Sequence, residues 1–164
     1  MNHKLDTDTQ VFFYEQDFYV LSNFSAFTLK WENIRFDTSE AVYHWEKFNY
    51  TADTPFKQLQ LVGIQLALVQ APSAHEAFKI AEKNKEHRKP DWDMVKLPIM
   101  ANILRAKAAQ HEYVRRKLLA TGNRELIEDS WRDSYWGWGE DGKGRNWLGK
   151  LWMAIREELR CQST

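Results

Sequence analysis

The chain has little of several features that mark large classes of protein. It has one cysteine among its 164 residues, Cys161, so it forms no internal disulfide and suits a reducing compartment. Its longest mostly apolar stretch, residues 61–71, is interrupted by two glutamines and is too short to span a bilayer. The polar residues 1–10 contain no apolar core of a signal peptide. These features predict a cytoplasmic protein.

The chain also lacks net charge and any recognisable metal or nucleotide motif. Lys and Arg number 23, as do Asp and Glu, whereas a protein that coats nucleic acid usually carries a basic surplus. Recognition of one modified nucleotide stays open. The five histidines are scattered without metal-ligand spacing, and no P-loop occurs. We therefore expect no metal, no cofactor and no membrane partner.

The pattern of apolar residues predicts a helix-rich α+β fold with a small antiparallel β element near the N-terminus. Alternating apolar and polar residues favour short strands at 11–14, 27–31 and 34–36, with a turn at Glu32-Asn33. Residues 1–10 are expected to be a flexible tail. Because no linker-like stretch divides the remainder, we expect a single domain over 11–160.

Helical periodicity dominates after residue 38. Pro98 is expected in the first turn of a helix that ends at Gly122, since proline fits there better than inside a helix. The other expected helix starts are marked by capping residues or proline, which lie at Thr38 or Ser39, Pro55, Ser73, Asp91 and Asn146.

The segment 131–152 is predicted to form a binding site. It holds five of the eight tryptophans and five of the seven glycines. Glycine lets backbone amides approach a ligand, and tryptophan can stack on a flat ring. The amides leading to the helix that begins near Asn146 could bind a phosphate. We expect Trp136 to face the ligand and Trp152 to pack the last helix.

A second candidate site lies on the helix after Thr38. Glu40, then Tyr43 or His44, then Lys47 recur at the spacing of one helix face. An acid, an imidazole and an amine on one face can transfer protons, although the same spacing also suits a solvated row of ion pairs. His44 alone is more typical of a hydrogen-bonded structural histidine than of a base.

Three groups of residues, in order along the chain, resemble the YbiA-like (NADAR) family. The first group is Ser22-Asn23-Phe24, Thr38-Ser39-Glu40 and Lys47-Phe48. The second is Asp91-Trp92, Met100, Lys107, Gln110-His111 and Leu118-Leu119-Ala120-Thr121-Gly122. The third is Asp133-Ser134-Tyr135-Trp136-Gly137, Gly139, Asp141-Gly142-Lys143-Gly144-Arg145-Asn146, Leu148-Gly149 and Met153-Ala154-Ile155-Arg156-Glu157. The similarity covers residues 12–159, and its specificity comes from the ordered set.

The resemblance implies a hydrolase that cleaves an N-glycosidic bond between ribose and nitrogen. The leading substrate is a phosphorylated ribosylamine, such as the ribosylaminopyrimidine phosphates of early riboflavin synthesis. One alternative is removal of ADP-ribose from a guanine base in nucleic acid. Another is a non-catalytic module that binds NAD or ADP-ribose.

The resemblance also implies which residues act. Glu40, Lys47, Trp92 and Asp133 are the expected catalytic residues, although Glu40 could be only a helix N-terminal charge, Trp92 a hydrophobic staple and Asp133 a turn cap. Lys47 has three possible roles, which are a phosphate or ribose contact, a Schiff-base nucleophile, and a surface ion pair. The residues assigned to substrate binding are Asn23, His44, Tyr135, Trp136, Gly137 and Asn146.

The sequence departs from the family pattern on the helix after Thr38. Ala41 occupies a place that is often histidine, and His44-Trp45-Glu46 replaces Gln-Ala-Gln. These changes bear on the substrate more than on the reaction class. We expect this helix and the 131–152 loop to form two halves of one pocket.

Overall fold

A computed structural model describes residues 5–14 and 16–162 of the chain, and within them the secondary structure is mainly helical. The strands are β1 (Gln10–Phe12), β2 (Leu29–Trp31), β3 (Ile34–Phe36) and β4 (Glu125–Ile127). The α-helices are α1 (Ser39–Glu46), α2 (Pro55–Val69), α3 (Ala74–Lys83), α4 (Trp92–Gln110), α5 (Glu112–Ala120) and α6 (Trp147–Gln162). Two 3-10 helices cover Gln16–Leu21 and Lys85–His87. The helix-rich α+β prediction is confirmed.

The described residues separate into two compact units. The central unit is residues 23–110, and the terminal unit comprises the described residues up to Ser22 and from His111 onward. No described helix is both long and apolar enough to cross a membrane. A single domain over residues 11–160 stays a prediction.

The central unit contains the predicted antiparallel hairpin. Strands β2 and β3 pair with Leu29 opposite Phe36, and Glu32 and Asn33 form the turn. Both turn residues have positive φ, 46° and 64°. Two consecutive residues of positive φ match the right-handed twist of the flanking strands. The hairpin prediction is therefore confirmed.

Helix α1 lies in the core of the central unit, where it packs against α2, α3 and α4. Its first turn is capped as expected, because the Thr38 hydroxyl accepts a hydrogen bond from the Ala41 amide at 3.1 Å. All eight of its residues are buried. A solvated row of ion pairs along this helix is therefore excluded.

The starts of α2 and α3 also agree with the predicted starts at Pro55 and Ser73. Thr54 and Ser73 accept hydrogen bonds from the amides of Lys57 and Glu76, and Pro55 occupies the first helical position of α2.

The prediction for Pro98 is wrong, because α4 begins at Trp92 and runs through this proline to Gln110. Proline lacks the N–H that would bond to the Met94 carbonyl. Both Met94 and Pro98 are exposed, so water can satisfy that carbonyl and the helix continues. The expected single helix to Gly122 is also interrupted, since α5 begins after His111. Gly122 does end α5, with a φ of 61°.

In the terminal unit, β1 and β4 pair in parallel and α6 packs on β4. Sequence periodicity did not predict β4, because three residues with one exposed side chain carry too little pattern. Trp152 is fully buried on α6 and its indole N–H donates to the Leu21 carbonyl at 2.8 Å, which confirms its predicted packing role.

Part of the predicted flexible tail, residues 1–4, lies outside the described residues. Further along, the Asp6 carboxylate accepts a hydrogen bond from the Phe12 amide at 2.8 Å, and the Thr7 hydroxyl accepts one from the Gln10 amide at 2.9 Å.

Two helical glycines provide a matched stability test. A Cβ on Gly149 would collide with the Leu126 carbonyl and the Asn146 amide, whereas one on Gly63 would meet nothing within 4 Å. We expect Gly149→Ala to lower the free energy of unfolding by about 1–3 kcal/mol, as overpacking does. Gly63→Ala should raise it by about 0.5–1 kcal/mol, because alanine restricts the unfolded chain. Urea unfolding followed by circular dichroism measures both, and equal effects would show that the close α6–β4 contact is absent.

Candidate active site

Helix α1 brings an acid and an imidazole together in the central unit. Glu40 and His44 are one turn apart, and His44 Nε2 lies 2.7 Å from Glu40 Oε1. Both side chains are buried, with 11% of Glu40 and 2% of His44 exposed. The N–H axis of the His44 ring is turned from the oxygen, so the pair is within hydrogen-bond distance without ideal alignment. Glu40 also lies in the first turn of α1, a position at which acidic residues are favourable.

Lys47 places its amine beside two aromatic rings at the end of α1. Its Nζ lies 5.0 Å from the centre of the Tyr43 ring and 5.8 Å from that of Trp92. The Tyr43 and Trp92 rings are themselves 5.0 Å apart, at an interplanar angle of 56°. The structure therefore brings together the predicted residues Glu40, His44, Lys47 and Trp92, with Tyr43 among them; we call these five residues the α1 cluster.

The environment of Lys47 lowers the pKa of its amine below the usual 10.5. Burial is the largest cause, because desolvation penalises the ammonium form. The charges of Arg88 and Lys96 lower the pKa further, whereas those of Glu40 and Glu82 oppose the shift. A larger share of neutral, nucleophilic amine is therefore present near neutral pH than at an exposed lysine.

The sequence analysis did not predict two cationic residues of this region. Arg88 and Lys96 act on Lys47 through their charges, and each also contacts the Asp93 carboxylate, at 2.9 Å and 2.8 Å. Lys96 lies one helical turn after Trp92, so the spacing of α4 could have indicated it. Arg88 precedes the helix, and no periodic signal marks it.

Asn23 lies next to Glu40 through the backbone. Its carbonyl accepts a hydrogen bond from the Glu40 amide at 3.2 Å, and its side-chain N–H group lies 3.2 Å from the Met100 sulfur. Asn23 is 6% exposed, and its Oδ1 has no partner among residues 5–14 and 16–162. An unsatisfied buried acceptor of this kind is suited to a ligand donor. Its role in substrate binding stays a prediction.

The departures from the family pattern divide between this cluster and the surrounding core. His44 contacts Glu40, whereas Trp45 packs edge-on against Phe36 with ring centres 5.8 Å apart. Glu46 accepts a hydrogen bond from the Trp31 indole at 2.7 Å and lies 3.8 Å from the Lys89 amine. Trp45 and Glu46 therefore tie α1 to the hairpin and to the segment before α4.

Asp133 lies in the terminal unit and caps a turn. Its Oδ1 accepts hydrogen bonds from the amides of Tyr135 and Trp136, both at 2.8 Å. This geometry matches the turn-cap alternative, while its catalytic role stays a prediction. The second oxygen, Oδ2, has no hydrogen bond to any residue that the structure describes.

The loop before α6 is held together by its own backbone. The amides of Arg145, Trp147 and Leu148 donate to the carbonyls of Ser134, Tyr135 and Trp136, respectively, at 2.7–3.1 Å.

Gly137 is required for the close approach of backbone within this loop. A Cβ there would lie 2.9 Å from the carbonyl oxygens of Ser130 and Asp133. The half-buried rings of Tyr135 and Trp136 pack edge to face, with centres 4.9 Å apart. Substrate binding by Tyr135, Trp136 and Gly137 stays a prediction.

Asn146 anchors strand β4 at the start of α6. Its side-chain oxygen accepts from the Glu128 amide at 3.0 Å, and its N–H group donates to the Leu126 carbonyl at 2.8 Å. Its φ of 49° is in the left-handed region that asparagine tolerates. The side chain is thus engaged within the fold, and phosphate or substrate binding at Asn146 stays a prediction.

The other loop tryptophans differ in their surroundings. Trp138 packs edge-on against Phe12 with ring centres 4.9 Å apart, and Trp131 is 57% exposed. The Lys150 amine lies over the Trp147 ring, 4.9 Å from its centre. Among the described residues, no group of three His, Cys, Asp or Glu side chains could hold a metal ion.

Two comparisons with single proteins support an N-glycosidase class. N-glycosidase YbiA of Escherichia coli is 35% identical over 157 residues, covering 94% of this chain and 91% of that protein. The N-glycosidase of Nostoc punctiforme is 32% identical over 152 residues, covering 92% of each. Relatives of nearly the same length are thus named as enzymes that act on N-glycosyl bonds, which supports a hydrolase of this class.

A third relative is longer than this chain. The riboflavin biosynthesis protein of Vibrio vulnificus is 33% identical over 152 residues, but the chain spans only 38% of its length.

A solved structure and a family profile agree with these relatives. The solution NMR structure of E. coli YbiA matches with a TM-score of 0.80 and 31% identity, covering 97% of this chain and 89% of that one. The family profile of the NADAR domain matches residues 12–160. The chain therefore belongs to the NADAR domain family.

Proposed function

We propose that this chain hydrolyses the bond between ribosyl C1′ and nitrogen in a small phosphorylated ribosylamine. The observation that carries the proposal is the α1 cluster, in which a buried carboxylate, an imidazole and an amine of lowered pKa lie beside two aromatic rings. We place the reaction in the cytoplasm, as the single cysteine suggests.

The reaction needs a stabilised sugar cation and a water molecule. As the C1′–N bond lengthens, the bonding electrons leave with nitrogen and positive charge builds on the sugar. The Glu40 carboxylate can stabilise that charge or take a proton from water, whose oxygen bonds to C1′ either directly or after the Lys47 amine has displaced the base there. The departing nitrogen takes up one proton. A catalytic role of Asp133 stays a prediction of the family resemblance.

The charges of the central unit favour an anionic substrate. Arg88 and Lys96, which both pair with Asp93, repel the charge of Lys47, whereas Glu40 and Glu82 attract it. A phosphate would offset the repulsion. The name of the V. vulnificus relative, a riboflavin biosynthesis protein, favours early riboflavin ribosylaminopyrimidine phosphates.

A direct assay tests the substrate. The purified chain is incubated with a ribosylaminouracil phosphate and, separately, with DNA that carries ADP-ribosylated guanine. Mass spectrometry follows release of the free base and of the sugar. We expect turnover of the ribosylaminouracil phosphate. Turnover of the modified DNA alone would reassign the substrate, and binding of ADP-ribose with no turnover of either would identify a binding module.

A further inference from the structure

His44 is enclosed in the α1 cluster in a way that suits contact with Glu40 better than contact with substrate. Its side chain is 2% exposed, with the Tyr43 ring at 5.4 Å and the Phe78 ring edge-on at 5.9 Å between centres. Nε2 lies 2.7 Å from Glu40 Oε1 but is not aligned for a hydrogen bond, and Nδ1 has no partner among the described residues.

This enclosure determines where a neutral His44 ring carries its proton. A buried N–H donor without a partner costs about 1–3 kcal/mol. A proton on Nδ1 would be such a donor, whereas a proton on Nε2 lies within reach of a carboxylate oxygen. The ring therefore favours the tautomer with Nε2–H, and a small rotation of the ring would align this donor with Glu40.

We propose that His44 is a positioning residue, which holds Glu40 Oε1 by a hydrogen bond so that Oε2 is directed to the reacting water or sugar. This inference rests on the proposed function and deepens it, because it assigns His44 to the carboxylate rather than to the substrate. The hydrogen bond restricts the Glu40 side chain within a helix that is already buried on all sides. Small displacements of a reacting group cost up to about 100-fold in rate.

The family pattern supplies a conservative variant. It has glutamine at the position of His44, and a glutamine side-chain amide can also donate a hydrogen bond to a carboxylate. His44→Gln should therefore preserve the orientation of Glu40, whereas His44→Ala should not. His75→Gln, at an exposed position of α3, is the matched control.

Steady-state kinetics distinguish positioning from substrate binding. We expect His44→Ala to lower kcat by about 10- to 100-fold with little change in KM, and His44→Gln and His75→Gln to stay within about threefold of the parent. A raised KM with unchanged kcat in the His44 variants would make His44 a substrate ligand. Equal losses in His44→Ala and His44→Gln, or no loss in either, would also overturn the inference.

A second measurement needs neither substrate nor activity. Long-range ¹H–¹⁵N correlation spectra of the labelled chain report the tautomer of each histidine, and the His44 signal is identified by its loss in His44→Gln. We expect the Nε2–H tautomer, with a shift of the Nε2 signal in Glu40→Gln. An Nδ1–H tautomer would refute the contact even in an active enzyme. Absence of turnover with the expected tautomer would refute the proposed function and leave the contact established.

Discussion

Replacing Glu40 by glutamine is expected to lower kcat by about 10²- to 10⁴-fold, the range of a lost general acid–base group. The substitution keeps the shape of the side chain and removes its charge, so it cannot stabilise a cationic sugar or accept a proton from water. Glu40 is buried and lies 2.7 Å from His44. Release of free base under saturating substrate measures the effect.

The matched control for Glu40→Gln is Glu76→Gln. Glu76 also lies in the first turn of a helix, α3, but it is half-exposed and pairs with Lys79 at 3.0 Å. The control should stay near full activity, and circular dichroism should show both variants folded. If Glu40→Gln keeps the full rate, Glu40 is a helix N-terminal charge and the catalytic assignment is wrong, even where the N-glycosidase function holds.

Local signals in the sequence were sufficient to predict many of the turns and helix starts of the central unit. The Glu32-Asn33 turn requires positive φ at both residues, and asparagine tolerates it better than most side chains. The caps at Thr38 and Ser73 each satisfy an amide within three residues of the cap, and Pro55 occupies the first position of α2. Such features depend on neighbours in the chain, so the sequence alone predicts them.

The features that were not predicted depend on distant contacts or on solvent. Strand β4 is three residues long and is stabilised by pairing with β1, which precedes it by more than 100 residues. The continuation of α4 through Pro98 depends on the exposure of Met94 to water. Neither condition leaves a periodic pattern in the local sequence.

The residues of the candidate site also divide into those that local spacing predicts and those that depend on distant contacts. The spacing of Glu40, His44 and Lys47 predicted a shared helix face, which is correct, but periodicity could not show that this face is buried. Trp92 entered only through the family resemblance, because its contact with Tyr43 joins two helices distant in sequence. For Asp133 and Asn146 the structure shows hydrogen bonds within the fold, which residue type and spacing alone do not distinguish from ligand contacts.

Lys47 should form a covalent adduct that borohydride traps, since the lowered pKa of its amine favours the nucleophilic form. The amine would add to C1′ of the ring-opened riboside and the base would leave as its free amine, giving a C=N bond that water later hydrolyses. Reduction by borohydride converts this bond to a stable secondary amine. Because deprotonation proceeds as the pH rises through the lowered pKa, the yield of adduct should increase with pH and level off below pH 10.5.

Mass mapping of the trapped chain locates the adduct. Two arginine variants then distinguish a covalent role of Lys47 from a charge contact with the phosphate. Lys47→Arg keeps the positive charge but cannot form the C=N bond, so it should abolish the adduct and lower kcat by about 100-fold or more. Lys89→Arg is the control, because Lys89 is also largely buried yet lies 3.8 Å from the Glu46 carboxylate.

If the parent chain gives no adduct at any pH while Lys47→Arg keeps most of its rate, Lys47 is a charge contact to the phosphate. In that case the lowered pKa would weaken the contact as pH rises, and KM would rise with pH in the parent chain but not in Lys47→Arg, whose guanidinium stays charged.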